Sequence, residues 1–208
     1  MDLKLSNKRA IITGASSGIG ISIKEALLEE GVEVHGLSRT NGIDLMTQAG
    51  IEWAKQRMKY FDILINNIGG GGTWAQHEYK VVMEKNYGLM VELTNEFLKT
   101  KRDYGRVITI SSIYGKEKGQ NPGFTAAKSA QIAYMKSLAG KYQNITLNTI
   151  CPGYINTKKE IKVYAKSVKA PVGQPEDVAN IVTFLCSNRA KFINGSCIVV
   201  DGGYSHAF

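Results

Sequence analysis

Thr13–Gly20 reads TGASSGIG. It stands between a short apolar run, Lys8–Thr13 (KRAIIT), and a segment, Ile19–Glu30, in which Ile19, Ile23, Ala26 and Leu27 recur at helical spacing. Gly14, Gly18 and Gly20 therefore fall after a strand and at the opening of a helix. Glycine permits the tight turn and lets backbone approach a ligand closely. The helix start adds free N–H groups and a partial positive charge, the environment that binds a pyrophosphate. Three glycines alone say little; the strand before and the amphipathic helix after make the reading specific.

Outward from this turn, strand-like and helix-like stretches alternate to the end of the chain. Val32–Leu37, Phe61–Asn66, Arg106–Ile110, Ile145–Ile150 and Ser196–Val200 read as strands, with Gly42–Leu45 as a further stub. Thr47–Tyr60, Glu78–Lys99, Phe124–Tyr142 and Pro175–Ser187 read as helices. Continuous apolar strands alternating with helices predict one α/β domain spanning residues 1–208: a doubly wound parallel sheet, the Rossmann fold, covered on both faces.

The 208 residues are 43% hydrophobic and 21% charged, which suits a globular domain with a core of its own. No run approaches the roughly 20 apolar residues of a membrane span. The opening MDLKLSNKRA has no apolar signal core, so a cytoplasmic protein is expected. Cys151, Cys186 and Cys197 form no CxxC pair and read as buried free thiols, and the three histidines have no metal-ligand spacing. A net charge of +8 permits a nucleic acid or an anionic small molecule as partner. The basic residues are dispersed and no nucleic-acid motif appears, so neither nucleic acid nor membrane is expected.

The spacing Gly-x-x-x-Gly-x-Gly resembles the short-chain dehydrogenase/reductase family rather than dehydrogenases with Gly-x-Gly-x-x-Gly. NNIG (Asn66–Gly69), ISS (Ile110–Ser112), NTICPG (Asn148–Gly153), PEDVA and VDGG follow in family order, and the resemblance spans nearly the whole chain. It implies an oxidoreductase that interconverts a carbonyl and an alcohol by hydride transfer with a nicotinamide cofactor. Gly14, Ser16, Ser17, Gly18, Ile19 and Gly20 would form the cofactor turn, and Asn66 would lie along the cofactor. Pro152, Gly153, Ile155 and Thr157 would meet the carboxamide. Asp44 and Leu45 match a pair beside the adenine, although Asp44 equally suits a cap of the next helix.

The end of the second strand selects the cofactor. An NAD-specific domain usually has an acid there for the ribose 2′-OH. Here Ser38 and Arg39 stand in its place, and a hydroxyl and a guanidinium would bind a 2′-phosphate, so NADP(H) is expected over NAD(H). Arg39 as a solvated loop residue is the alternative.

The resemblance also implies a catalytic set. Asn86 matches the asparagine that helps hold a water, Ser112 the serine that hydrogen-bonds the carbonyl, and Lys128 the lysine that holds the nicotinamide ribose. Four residues before Lys128, where the family has its proton-donating tyrosine, stands Phe124. One helical turn separates the two, so the ring is in place and the acid is not. Tyr114 and Tyr154 are near in sequence, yet neither stands at helical spacing from Lys128. Two readings follow: an engineered Tyr→Phe variant of an active enzyme, or a non-catalytic NADP-binding regulator.

The chain is shorter than is usual in the family, between the second strand and Asp44 and in a lid at about 157–172. That lid carries Lys158, Lys159, Lys162, Lys166 and Lys169, which suggests an anionic substrate such as a nucleotide sugar or a carrier-bound 3-oxoacyl group. A solvated helix face is the equal alternative. The resemblance further implies a homodimer or homotetramer, with Met83, Met90, Ile132 and Met135 as surplus apolar residues for a two-fold contact.

Overall fold

Short β-branched strands that cannot hide their apolar side chains on one face alone pair in parallel and take helices on both sides. The computed structural model describes residues 2–70, 79–100, 103–119 and 121–206. Among these residues are six strands: β1 (Arg9–Thr13), β2 (Glu33–Leu37), β3 (Ile63–Asn66), β4 (Gly105–Ile110), β5 (Ile145–Pro152) and β6 (Cys197–Val200). All pair in parallel, in the order β2-β1-β3-β4-β5-β6. The helices are α1 (Gly18–Glu29), α2 (Gln48–Arg57), α3 (Tyr79–Met83), α4 (Leu89–Thr100), α5 (Pro122–Leu138), α6 (Lys159–Ser167) and α7 (Pro175–Cys186). Among the described residues no helix is long and apolar enough to cross a membrane.

The pleat divides the core. Ile12, Ile63, Ile65, Ile108 and Ile150 point to one face, where Ile23 and Leu27 of α1 and Val178, Val182 and Leu185 of α7 cover them. Ile11, Leu64, Val107 and Leu147 point to the other, under Ala54 of α2, Leu93 and Phe97 of α4, and Met135 of α5. The order reverses direction between β1 and β3, so a crevice opens beyond their C-terminal ends.

One side chain ties that crevice. Thr13 Oγ1, at the end of β1, accepts hydrogen bonds from the N–H groups of Asn67 (2.8 Å) and Ile68 (2.9 Å), just past β3. The Asn67 side-chain amide donates back to the carbonyls of Thr13 (3.0 Å) and Gly14 (3.1 Å).

Several expectations change. Gly42–Leu45 is not a strand: Arg39–Asn41 is a 3-10 turn, and the Asp44 carboxylate accepts the Met46 N–H at 2.9 Å, closing a turn where a strand would need extended backbone. The long helix expected from Glu78 to Lys99 is interrupted by a π-helical turn over Glu84–Gly88 (Glu78 itself lies outside the described residues). Met90 and Met135 are core residues and not surplus, since both pack between their helices and the sheet. Cys151 and Cys186 are buried, while Cys197 is only half-buried, its sulfur 3.2 Å from that of Cys151.

Thr13→Val keeps the shape and removes the acceptor of two backbone N–H groups. At about 1–3 kcal/mol for each unsatisfied donor, the variant should lose about 2–6 kcal/mol of stability in urea unfolding. Thr13→Ser should lose much less.

Candidate functional site

A cavity of about 900 Å³ lies beyond the C-terminal ends of the strands. Gly14, Ser16, Ser17, Gly18 and Ile19 form one wall; Ser38, Arg39, Asp44 and Leu45 another; Ser112, Phe124 and Lys128 a third; Pro152, Gly153, Ile155 and Thr157 a fourth. Residues far apart in sequence thus meet in one hollow. A second hollow of about 300 Å³, at the opposite end of β4 and β5 beside Tyr104 and Arg106, contains none of the residues predicted from sequence.

At the glycine wall, Ser17 is the extended residue before α1, and its side chain makes no capping bond. The first turn of α1 holds no acidic residue. The helix start therefore directs N–H groups and a partial positive charge toward the cavity without a competing side-chain acceptor. Gly18 sits at φ +55°, a conformation that suits glycine. Gly20 does not line the cavity. A Cβ there would come within 2.2 Å of the Gly14 carbonyl oxygen, so this glycine lets α1 pack against its own turn.

At the β2 wall, Ser38 is buried and its hydroxyl lies 2.7 Å from that of Thr40. Arg39 is exposed, and its guanidinium has no hydrogen bond or ion pair among the described residues. Asp44 serves both alternatives in part: it lines the cavity, but its carboxylate closes the turn before α2, while Thr47 caps that helix through Gly50 N–H.

At the third wall, Asn121 caps α5 by accepting the Phe124 N–H at 3.0 Å, with Pro122 in the first turn. This start sets Phe124 one turn before Lys128, whose ammonium lies 5.5 Å from the centre of the Phe124 ring. Lys128 Nζ donates to the Ile110 carbonyl (2.9 Å), and Ser111 Oγ donates to the Lys128 carbonyl (2.9 Å), which fastens α5 to the end of β4. Among the described residues no carboxylate balances this buried lysine, and burial pushes its pKa down to about 7. Ser112 Oγ accepts the Tyr114 N–H at 3.2 Å. Tyr114 and Tyr154 meet hydroxyl to hydroxyl at 2.5 Å, and neither lines the cavity.

Two predicted residues stand elsewhere. Asn66 shares a sheet face with Leu64; its amide donates to Thr94 (3.0 Å) and weakly to Thr109 (3.4 Å), beneath α4 and away from the cavity. Its neighbour Asn67 lines the cavity instead. Asn86 is fully buried within the π-helical turn. Its side chain accepts from Gly70 N–H (3.1 Å) and donates to the carbonyls of Gly70 (3.0 Å) and Val82 (2.8 Å), while Gln131 donates to its main-chain oxygen at 2.7 Å. Asn86 therefore shapes the cavity through Gly70 and is not itself on the wall. Of the lid lysines, all exposed where described, Lys158 lines the cavity and Lys162, Lys166 and Lys169 do not; the Lys159 side chain lies outside the described residues. Lys85 and Ile68 are wall residues that sequence reasoning missed. Lys85 was detectable only as the neighbour of Asn86.

A family profile described as enoyl-(acyl carrier protein) reductase matches residues 44–205. The 3-oxoacyl-[acyl-carrier-protein] reductase FabG of Buchnera aphidicola is 32% identical over an alignment of 241 positions, covering 97% of this chain and 98% of that protein. The acetoacetyl-CoA reductase of Shinella zoogloeoides is 32% identical, covering 93% of this chain and 97% of that one. Both alignments are longer than the chain, which carries deletions relative to these proteins. Among solved structures, a short-chain dehydrogenase/reductase from Serratia marcescens superposes with a TM-score of 0.85 at 25% identity, over 97% of this chain and 99% of that one. The ligand-free aldohexose dehydrogenase of Thermoplasma acidophilum does so with 0.83 at 25% identity, over 98% and 96%.

Lys128 makes stability depend on pH. An unfolded lysine holds its proton up to about pH 10.4, whereas the folded one releases it near 7. Between these values the unfolded chain binds more protons, so stability should rise with pH through this window. Chemical denaturation at pH 6.5 and 9 should show the rise, and Lys128→Met should flatten it.

Proposed function

We propose that this chain, which belongs to the short-chain dehydrogenase/reductase family, is an NADP-dependent oxidoreductase that interconverts a carbonyl and an alcohol. The observation that carries the reading is the single cavity that joins the glycine turn, Ser38–Arg39 and the Ser112–Lys128 wall. The residues fit the cofactor: the start of α1 is uncapped, Gly18 leaves room where a Cβ would meet Thr157 at 3.0 Å, and Arg39 has no internal partner among the described residues.

The bound nicotinamide would supply the hydride. The start of α1 would hold the pyrophosphate, and Ser38 with Arg39 the 2′-phosphate, by charge-assisted hydrogen bonds. Pro152, Gly153, Ile155 and Thr157 would orient the carboxamide, with Asp44 and Leu45 toward the adenine. Lys128, raised toward its charged form by a nearby anion, would hold the ribose. Ser112 Oγ would donate to the substrate carbonyl oxygen and stabilise the charge that develops there. Asn86 would act at one remove, by fixing Gly70. Phe124 supplies no proton, so turnover in this chain is slow. The names of the FabG and acetoacetyl-CoA reductase relatives support a 3-oxoacyl substrate on an anionic carrier. Phe124 also favours a second reading, a non-catalytic NADP-binding regulator.

Self-association belongs to the same proposal. Met83 and Ile132 remain half-buried, and the half-buried rings of Tyr87 and Tyr134 meet edge-on between the same helices. Light scattering at micromolar concentration should give two or four times the 22.8 kDa chain mass, and a monomer would contradict it.

Fluorescence titration should give tighter binding of NADPH than of NADH. Replacing Ser38 by Asp together with Arg39 by Ala should invert the order; equal affinities in the unmodified chain would refute the assignment. Phe124→Tyr should raise carbonyl reduction by roughly a hundred- to ten-thousandfold, the usual contribution of a general acid. Equal rates in both forms would remove Phe124 from its role. Tight NADPH binding with both forms inactive on a broad panel of ketones would favour the regulator.

A further inference from the structure

Four cationic side chains line the cavity, Arg39, Lys85, Lys128 and Lys158, against one acid, Asp44. Three of them stand where the proposed cofactor would use them. Arg39 is at the end of β2, and Lys128 is under the ribose position. Lys158 follows Thr157, whose methyl would be 3.0 Å from a Cβ on Gly18, at the pyrophosphate turn. Lys85 is different. It lies across the cavity with Gly69, Gly70, Val81 and Phe124, at the end where the reacting carbon would be.

The backbone explains how it comes to be there. The π-helical turn Glu84–Gly88 sends Asn86 inward, where it clamps Gly70 through both its N–H and its carbonyl. Lys85, the preceding residue, then stands over the clamped glycine: a Cβ on Gly70 would lie 3.8 Å from Lys85 Nζ. The adjacent acid, Glu84, is directed elsewhere, its carboxylate within 2.6 Å of where a Cβ on Gly88 would be. Lys85 is half-buried and has no ion pair or hydrogen bond among the described residues. An ammonium partly withdrawn from water, with no carboxylate partner among the described residues, can be completed by an anion from outside.

We infer that Lys85 is a substrate-recognition residue that binds an anionic group, carboxylate or phosphate, carried by the substrate within a few ångströms of its reacting carbonyl. This rests on the oxidoreductase reading above but departs from the carrier-bound substrate that the relatives' names support. A thioester whose only charge lies on a distant carrier would leave Lys85 unused, whereas a small oxo acid or a phosphorylated ketone would engage it.

The test is calorimetric titration of the chain saturated with NADP with two matched pairs of probes. One pair is acetoacetate and neutral 4-hydroxy-2-butanone; the other is dihydroxyacetone phosphate and neutral dihydroxyacetone. At least one anion should bind about tenfold more tightly than its neutral partner, as a charge-assisted hydrogen bond warrants, and the pair that responds separates carboxylate from phosphate. Lys85→Met should bring that ratio close to one, and Lys85→Arg should keep most of it. A ratio that Lys85→Met leaves unchanged overturns the inference, as does the absence of any anion preference in the unmodified chain. Both leave the cofactor reading standing, provided NADP still binds. Failure of the unmodified chain to bind NADP overturns the cofactor reading and this one with it.

Discussion

The knot between Thr13 and Asn67 holds the structure's working end. β1 and β3 are neighbours whose chains depart in opposite directions along the sheet, and where they part their last peptide groups lose their ladder partners. A hydroxyl that accepts two N–H groups, and an amide that donates to two carbonyls, replace those missing bonds across the gap. The crevice therefore stays open without unpaired backbone. The glycine turn follows Thr13 directly, and the Ile68–Gly70 wall follows Asn67, so both inherit their position from these four bonds.

The electrostatics of the site are those of cations without carboxylate partners among the described residues. Lys128 is buried with the Ile110 carbonyl and the Phe124 ring beside it, and it, Arg39 and Lys85 have no carboxylate partner among the described residues. Burial makes this costly for Lys128 above all, and a ligand bearing several negative charges would relieve it. Phe124 fits the same pattern, since its ring preserves the packing around Lys128 while adding no group that could bond to the ammonium.

Much of this was legible in the sequence because it depends on local chemistry. A glycine turn between a strand and a helix, Ser38–Arg39 after β2, and the one-turn spacing of Phe124 and Lys128 need no tertiary knowledge. The misreadings share another origin. Asn66 and Asn67 are chemically identical, and only the parity of the pleat decides which enters the crevice; Asn66 follows Leu64 to the α4 side. Met90 and Met135 seemed surplus because apolar residues on a helix do not declare which of two apolar neighbours they face. Gly42–Leu45 looked strand-like until the Asp44 carboxylate turned the chain on its own backbone. The lid lysines form one cluster in sequence, yet a helix spreads its side chains around an axis, and among those whose side chains are described only Lys158, just before α6, lies on the cavity wall.

The π-helical turn has a consequence for how this protein can change. A residue inserted into a helix shifts the phase of all that follows by roughly 100°. Glu84–Gly88 therefore lets α3 and α4 be phased separately: Leu89, Leu93 and Phe97 keep step with the sheet, while Lys85 and Asn86 keep step with the cavity rim. The turn works as a vernier between core and site. Substitutions at the rim can accumulate without disturbing the packing of α4, and substitutions in the core need not redirect Lys85. Deleting one residue of the turn would couple the two again, and the helix could then satisfy either the sheet or the ligand, but not both.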